Sequence, residues 1–198
     1  MAKTFSRIGK DIAIAVKESG PDPETNSKLR AAIQNARAAN MPKDNVERAI
    51  KKASEKDAGD YKQVLFEGYG PHGIAILVET ATDNNKRTVA NIRSYFSKYG
   101  GSLGVSGSVS FMFDHTCQFK IQKTEDMDLE ELELEFIDYG AEEVFEEEDG
   151  VMIYGAFESY GSLQSALEEK GIEIISSGFE RIPQTTKKLS PEEEADVD

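Results

Sequence analysis

The stretch VLFEGYGPHGIAILVETATDNN, Val64 to Asn85, places a hydrophobic edge, a glycine-punctuated turn and a buried apolar run in immediate succession. Gly68, Gly70 and Gly73 spell G-x-G-x-x-G, the spacing that cradles dinucleotide phosphates when it joins a strand to a helix. Here Ile74-Ala75-Ile76-Leu77-Val78 follows, a short β-branched run that reads as a strand, so no helix N-terminus faces a phosphate. A kinase-type glycine loop does lie between strands. That reading needs a lysine within Ala75 to Val78, an H-R-D and a D-F-G, none of which is present. The expected structure is two strands joined by a tight connection, with Gly68 and Gly70 allowing positive φ and Pro71 fixing a turn residue.

Upstream, three amphipathic helices are expected. Phe5, Ile8, Ile12, Ala15 and Val16 form one stripe over residues 5–19, ended by Gly20-Pro21-Asp22-Pro23. Leu29, Ile33 and Ala36 form a second between Ser27 and Ala39. Pro42 opens a third, with Val46, Ala49, Ile50 and Ala53 facing inward and Asp44/Arg48 and Glu47/Lys51 as i,i+4 pairs. Residues 54–60 are polar, lack an apolar period and read as a linker.

Downstream, Asp83-Asn84-Asn85 offers caps for a helix bearing Val89, Ile92 and Phe96, closed by Gly100-Gly101. Val109, Phe111 and Phe113 alternate with Ser108, Ser110 and Met112 as a half-buried strand, giving the second unit the order β-β-α-β. A third unit follows. Phe119 and Ile121 mark a strand, Leu129, Leu132 and Phe136 a helix, and Val144-Phe145 with Val151 to Tyr154 a hairpin around Asp149-Gly150. Leu163, Ala166 and Leu167 mark a second helix, followed by strands at Ile172–Ile175 and about Phe179–Ile182. The order β-α-β-β-α-β is that of a ferredoxin-like fold. The expected class is α+β: a helical domain over 1–56, an α/β domain over 61–115, a ferredoxin-like domain over 116–183 and an acidic tail over 184–198.

Three strings, Asn40-Met41-Pro42-Lys43-Asp44-Asn45-Val46-Glu47-Arg48-Ala49-Ile50, Glu67-Gly68-Tyr69-Gly70-Pro71-His72-Gly73 and Gly107-Ser108-Val109-Ser110-Phe111-Met112-Phe113, closely resemble the YebC/PmpR family of transcriptional regulators. The mitochondrial translational activator of cytochrome c oxidase belongs to the same family. The resemblance covers nearly the whole chain and implies a helical N-terminal domain followed by two α/β domains, the third inserted into the second. It further implies a basic segment before the first helix, of which Met1-Ala2-Lys3 would be the end. Beyond Asp198 it implies a helix and a strand that complete the second domain, which is therefore expected to be incomplete here.

Net charge is −14, with 38% hydrophobic and 30% charged residues and a single cysteine, Cys117. One cysteine excludes an intrachain disulfide and fits a reducing compartment. No apolar run approaches the roughly 20 residues of a membrane span, and the start lacks a signal-peptide core. The expectation is a cytoplasmic protein without membrane association. The charge is unevenly spread. Residues 1–60 hold 12 basic and 9 acidic side chains, residues 61–124 hold 7 and 4, and residues 125–198 hold 4 and 24, for nets of +3, +3 and −20. A mildly basic front and an acidic rear point to a polyanion partner on one side.

Signals for catalysis or metal binding are weak. His72 and His115 lie far apart, and His115-Thr116-Cys117 supplies two ligands where zinc needs three or four. Glu142, Glu143, Glu146, Glu147, Glu148 and Asp149 lack the ligand spacing of a calcium loop. There is no G-x-S-x-G, and Asp83 with Lys86 and Arg87 fits an active-site cluster and, equally well, a helix cap beside an exposed basic turn. The expectation is a non-enzyme without metal or cofactor.

The leading functional reading is a nucleic-acid-binding regulator, its candidate contacts being Lys28, Arg30, Arg37, Lys43, Arg48, Lys51 and Lys52, joined by Lys86, Arg87, Arg93 and Lys98. Tyr95 and Tyr99 interleave with the last two and can stack on bases, although aromatics at i,i+4 more often pack. The resemblance implies two versions, a DNA-binding transcriptional regulator and a ribosome-bound translation factor. No zinc finger, zipper or clear helix-turn-helix is visible, and small domains with one basic side suit structured RNA. An alternative of another class is a protein-interaction module using the acidic face of the ferredoxin-like unit.

Overall fold

Ile8, Ile12, Ala15 and Val16 recur on one face of α1 (Ala2–Ser19) and are buried, as the spacing predicts. The computed structural model describes residues 2–55 and 59–197. The α1 stripe packs against α2 (Ser27–Ala38) through Leu29, Ala32 and Ala36 and against α3 (Lys43–Ser54) through Val46 and Ala53. Buried Asn26 ties the first two helices together. Its Oδ1 accepts from the Leu29 N–H at 3.0 Å, and its Nδ2 donates to the carbonyls of Ala15 and Gly20, both at 2.8 Å. One side chain thus caps the start of α2 and satisfies carbonyls at the end of α1. Pro42 sits at the N-cap of α3, and the expected Asp44/Arg48 and Glu47/Lys51 pairs are replaced by Lys43 to Glu47 at 3.6 Å and Arg48 to Asn45 at 3.0 Å. Of the expected linker, Ser54 is still helical and positions 56–58 lie outside the described residues.

In the second unit β1 (Lys62–Tyr69) and β2 (Ala75–Thr82) form an antiparallel pair, covered on one face by α4 (Asn85–Lys98). The connection differs from the sequence expectation. Gly70 is extended, and positive φ falls on His72 (58°) and Gly73 (73°) within the 3-10 turn Pro71–Gly73. Gly68 is required for another reason: a Cβ there would sit 2.5 Å from the Ser102 carbonyl and 2.6 Å from the Phe96 ring. The third strand is also a correction. The alternation at 108–113 is not a strand; Ser110–Met112 is a 3-10 turn, Val109 is buried and Phe111 is 69% exposed. The Glu67 carboxylate takes the N–H groups of Gly107, Val109 and Ser110, so this backbone is bound by a side chain instead of a ladder. The real third strand is β3 (Ser102–Leu103), which pairs with Gly68 and Tyr69.

The third unit follows the expected order, and its sheet establishes the fold. β4 (Phe113–Ile121), α5 (Leu129–Ile137), β5 (Ala141–Glu147), β6 (Gly150–Ala156), α6 (Tyr160–Glu169) and β7 (Ile174–Pro183) give a sheet of order β5-β6-β4-β7 with every neighbour antiparallel. Phe119, Ile121, Val151 and Ile153 on one sheet face bury Leu132, Phe136, Leu163 and Leu167 of the helices. β7 is one continuous strand where two are expected, and β4 begins at Phe113, inside the range expected for the second unit.

Side-chain bonds between units fix their arrangement. Asn35 of α2 donates to the Ser177 carbonyl at 2.7 Å and accepts its N–H at 2.9 Å, satisfying the edge of β7 as a neighbouring strand would. Lys10 donates to the Ala81 carbonyl at 3.1 Å, and Arg181 reaches Glu79 at 3.3 Å. The segment expected as an acidic tail forms α7 (Pro191–Val197), which returns to the second unit: His72 lies 2.8 Å from Asp196 and 3.5 Å from Glu193.

Candidate nucleic-acid interface

The eleven basic candidates fall into three situations. Arg30 is occupied internally: its guanidinium reaches Glu168 of α6 at 2.9 and 3.1 Å and also donates to the carbonyls of Pro23 and Glu24. Hydrogen bonding to Glu168 raises its pKa, and it acts as a clasp between the helical and ferredoxin-like units. Lys28 pairs with Glu18 at 2.5 Å, Lys43 with Glu47, and Arg87 with Asp83 at 2.5 Å, all at exposed positions. Such pairs exchange readily with solvent or another anion, being worth about 0–1 kcal/mol.

The remainder have no acidic partner among the described residues. On α3, Arg48, Lys51 and Lys52 are exposed and separated by three and four residues, which brings them onto one face within a turn. Arg37 is exposed near the end of α2. On α4, Lys86 and Arg93 are exposed, and Lys98 lies 5.0 Å from the Tyr99 ring centre. Tyr95 and Tyr99 are 59% and 64% exposed, so their spacing does not reflect packing. α4 therefore presents two exposed aromatic rings beside cations, with Lys98 lying over that of Tyr99. Sequence reading passed over Lys3 and Arg7, exposed four residues apart on α1. The same i,i+4 spacing that marked α3 was available to find them.

Glu67 was missed as well. It is 4% exposed within β1, accepts from Gly107 at 2.7 Å, Val109 at 2.9 Å and Ser110 at 2.8 Å, and so shapes residues 104–110. Burial alone raises its pKa, but these N–H groups and the Ser110 hydroxyl override it and hold the carboxyl down to about 2. A lone acid inside an apolar strand was the available signal, since a buried charge requires such partners.

The family model described as "TACO1/YebC protein N-terminal domain" matches residues 1–56, and that described as "TACO1/YebC second and third domain" matches residues 61–198. The chain belongs to the TACO1/YebC family. A relative from Flavobacterium johnsoniae, named "Probable transcriptional regulatory protein", is 69% identical over 198 residues, covering 100% of this chain and 83% of the relative. A relative of the same name from Parabacteroides distasonis is 58% identical, covering 100% of this chain and 82% of the relative. A solved structure, described as the "Crystal Structure of a Conserved Hypothetical Protein Aq1575 from Aquifex Aeolicus", superposes with a TM-score of 0.77 at 36% identity, covering 99% of this chain and 81% of that one.

Other side chains weighed for chemistry in this TACO1/YebC chain are held in structural roles. His115 stacks on Phe157 at 3.9 Å, and burial with the nearby Arg181 charge lowers its pKa. The Cys117 thiol donates to the Ala156 carbonyl, and burial pushes its pKa up to about 11, far from a reactive thiolate. Among the described residues no three His, Cys, Asp or Glu gather as a metal site, and no helix is long and apolar enough to cross a membrane.

Proposed function

We propose that this chain is a non-enzymatic regulator of gene expression that binds nucleic acid through the exposed basic face of α3, extended by Arg37 and by α4. The observation that carries the proposal is the set Arg48, Lys51 and Lys52, three exposed cations on one helical face that form no ion pair among the described residues. Lysine and arginine on such a face neutralise phosphates and give affinity with little sequence reading. The relatives' name supports a transcriptional role and hence DNA as partner. The single buried thiol fits action in the reducing cytoplasm.

A second reading, ribosomal RNA as partner, is favoured by the exposure of Tyr95 and Tyr99 beside Arg93 and Lys98. Exposed rings flanked by cations suit unpaired bases, which RNA loops offer and a closed duplex does not. Gel shift against duplex DNA and ribosomal RNA fragments, with polyglutamate as competitor, separates the two. Preference for RNA that is lost in Tyr95→Ala/Tyr99→Ala selects the second reading. Equal affinity of that variant for duplex DNA selects the first. Absence of binding to either nucleic acid at low salt overturns both.

A further inference from the structure

The ferredoxin-like sheet has one face buried under α5 and α6 and another that no element among the described residues covers. On the uncovered face Phe145, Met152, Lys120 and Ser176 form one row across the four strands, and Glu143, Tyr154, Gln118 and Gly178 form the next. α2 meets β7 at its edge, through the Ser177 backbone, and leaves the face open. A Cβ added to Gly178 would meet nothing within 4 Å. The result is a shallow depression of about 350 Å³ bordered by Tyr154, Lys120 and Glu180.

We propose that this open sheet face docks an arginine- or lysine-rich segment of a partner protein. Its chemistry selects that occupant. Phe145, 38% exposed, stacks on Tyr154 with ring centres 5.8 Å apart and planes 14° from parallel, giving a paired aromatic surface. The Tyr154 hydroxyl lies 2.9 Å from Gln118 Oε1 and 3.1 Å from Glu180 Oε2, so the Glu180 carboxylate is held at the edge of this surface. Glu143, in register with Tyr154 on the far strand, is exposed and has no cationic partner among the described residues. Lys120 is the cation of this face, and it is taken up by Glu147 at 3.3 Å and Asp149 at 2.5 Å. Four carboxylates against one ammonium leave the face strongly negative.

A phosphate ligand is repelled there, and a neutral apolar segment would strip water from Glu143 and Glu180 without replacing it. A guanidinium satisfies both surfaces, lying flat on an aromatic ring while its fork meets a carboxylate. Glu143 and Glu180 stand on the two outer strands, three strand spacings apart and offset by two residues along the strand, which is roughly 16 Å between their backbone positions. An extended segment rising about 3.3 Å per residue places basic side chains four residues apart about 13 Å from one another, and the length of those side chains spans the remainder. This reasoning does not depend on the nucleic-acid reading of α3.

The test uses the full chain and a fluorescein-labelled nonapeptide with arginine at its first, fifth and ninth positions and serine elsewhere, read by anisotropy at two salt concentrations. Glu143→Gln/Glu180→Gln is expected to weaken binding tenfold or more, and Phe145→Ala about three- to tenfold. Glu130→Gln/Glu131→Gln, which removes the same charge from α5 on the opposite side, is expected to change affinity less than twofold. Should Phe145→Ala unfold by circular dichroism, the isosteric Glu143→Gln/Glu180→Gln pair decides alone. Equal losses in the two glutamine pairs would reduce the effect to overall charge and overturn the proposal. Peptide-induced amide shifts on α5 in place of Phe145, Tyr154 and Gly178, or no binding, would overturn it too.

Discussion

Helix α3 and the β5–β6 hairpin are both exposed and highly charged, yet they hold their charge in opposite ways. On α3 the cations outnumber their acids, and Arg48, Lys51 and Lys52 are left over once Lys43 has met Glu47. At the hairpin the acids outnumber the cations, and neighbouring lysines are consumed: Lys120 by Glu147 and Asp149, Lys123 by Glu146. The difference separates charge that serves the fold from charge available to a partner. Removing the first kind costs stability where it is buried, as at Glu67, and little where the pair is exposed. Removing the second kind changes binding and leaves the fold as it is.

The largest expected effect comes from the extreme case of consumed charge, Glu67. Its folded pKa of about 2 lies below the ordinary value of 4.5. Its stabilising contribution is therefore complete above pH 4.5 and is lost as pH falls through about 2. The shift corresponds to about 3 kcal/mol. Denaturant unfolding of the wild type from pH 7 down to pH 2 should show this loss, and Glu67→Gln should lose a similar amount at pH 7 with a flatter pH dependence. An unchanged pH profile in Glu67→Gln would mean that the carboxylate does not organise residues 104–110.

The Asn35 bonds to β7 come next. Asn35→Ala leaves the Ser177 N–H and carbonyl without their side-chain partner and should cost about 1–2 kcal/mol. Native-state hydrogen exchange should place the loss at the Ser177 amide. Nucleic-acid affinity should stay within twofold, because Asn35 is not among the spare charges. A large loss of affinity would tie binding to the relative placement of the units.

A smaller effect is expected on the acidic side. Neutralising Glu146, Glu147 and Glu148 to Gln removes three negative charges and frees Lys120 and Lys123 from two of their acids. Non-specific nucleic-acid affinity should rise a few-fold at low salt and return to the wild-type value near 0.2 M, where screening is short-ranged. Circular dichroism should show the same fold. No gain at any salt concentration would make the hairpin acids an inert solvated surface.

Which of these residues were legible follows from how far away their partners sit. The stripe Ile8, Ile12, Ala15 and Val16 and the hairpin around Asp149 are local patterns, and both formed where periodicity placed them. Arg30 looked like any basic residue on α2, since its partner Glu168 is 138 positions away. Phe111 looked like a strand residue because its alternation is local, while the carboxylate that bends this backbone belongs to Glu67, some 40 positions earlier. The spare charge on α3 was legible as composition. That it is spare emerged only once Lys43 was found to take Glu47 and leave Arg48 to Asn45.

The central claim, that the uncompensated cations of α3 carry polyanion binding, is tested most directly by the salt dependence of affinity. Binding of wild type and Lys51→Glu/Lys52→Glu to one duplex DNA and one ribosomal RNA fragment is measured across a series of salt concentrations. Each phosphate contact contributes a slope of about 0.9 in log affinity against log salt for duplex DNA. The account predicts at least tenfold weaker binding for the variant at low salt, a slope shallower by roughly 2 on the duplex, and convergence of the two proteins as salt rises. Equal slopes and equal affinities for the two proteins would contradict it and remove α3 from the interface.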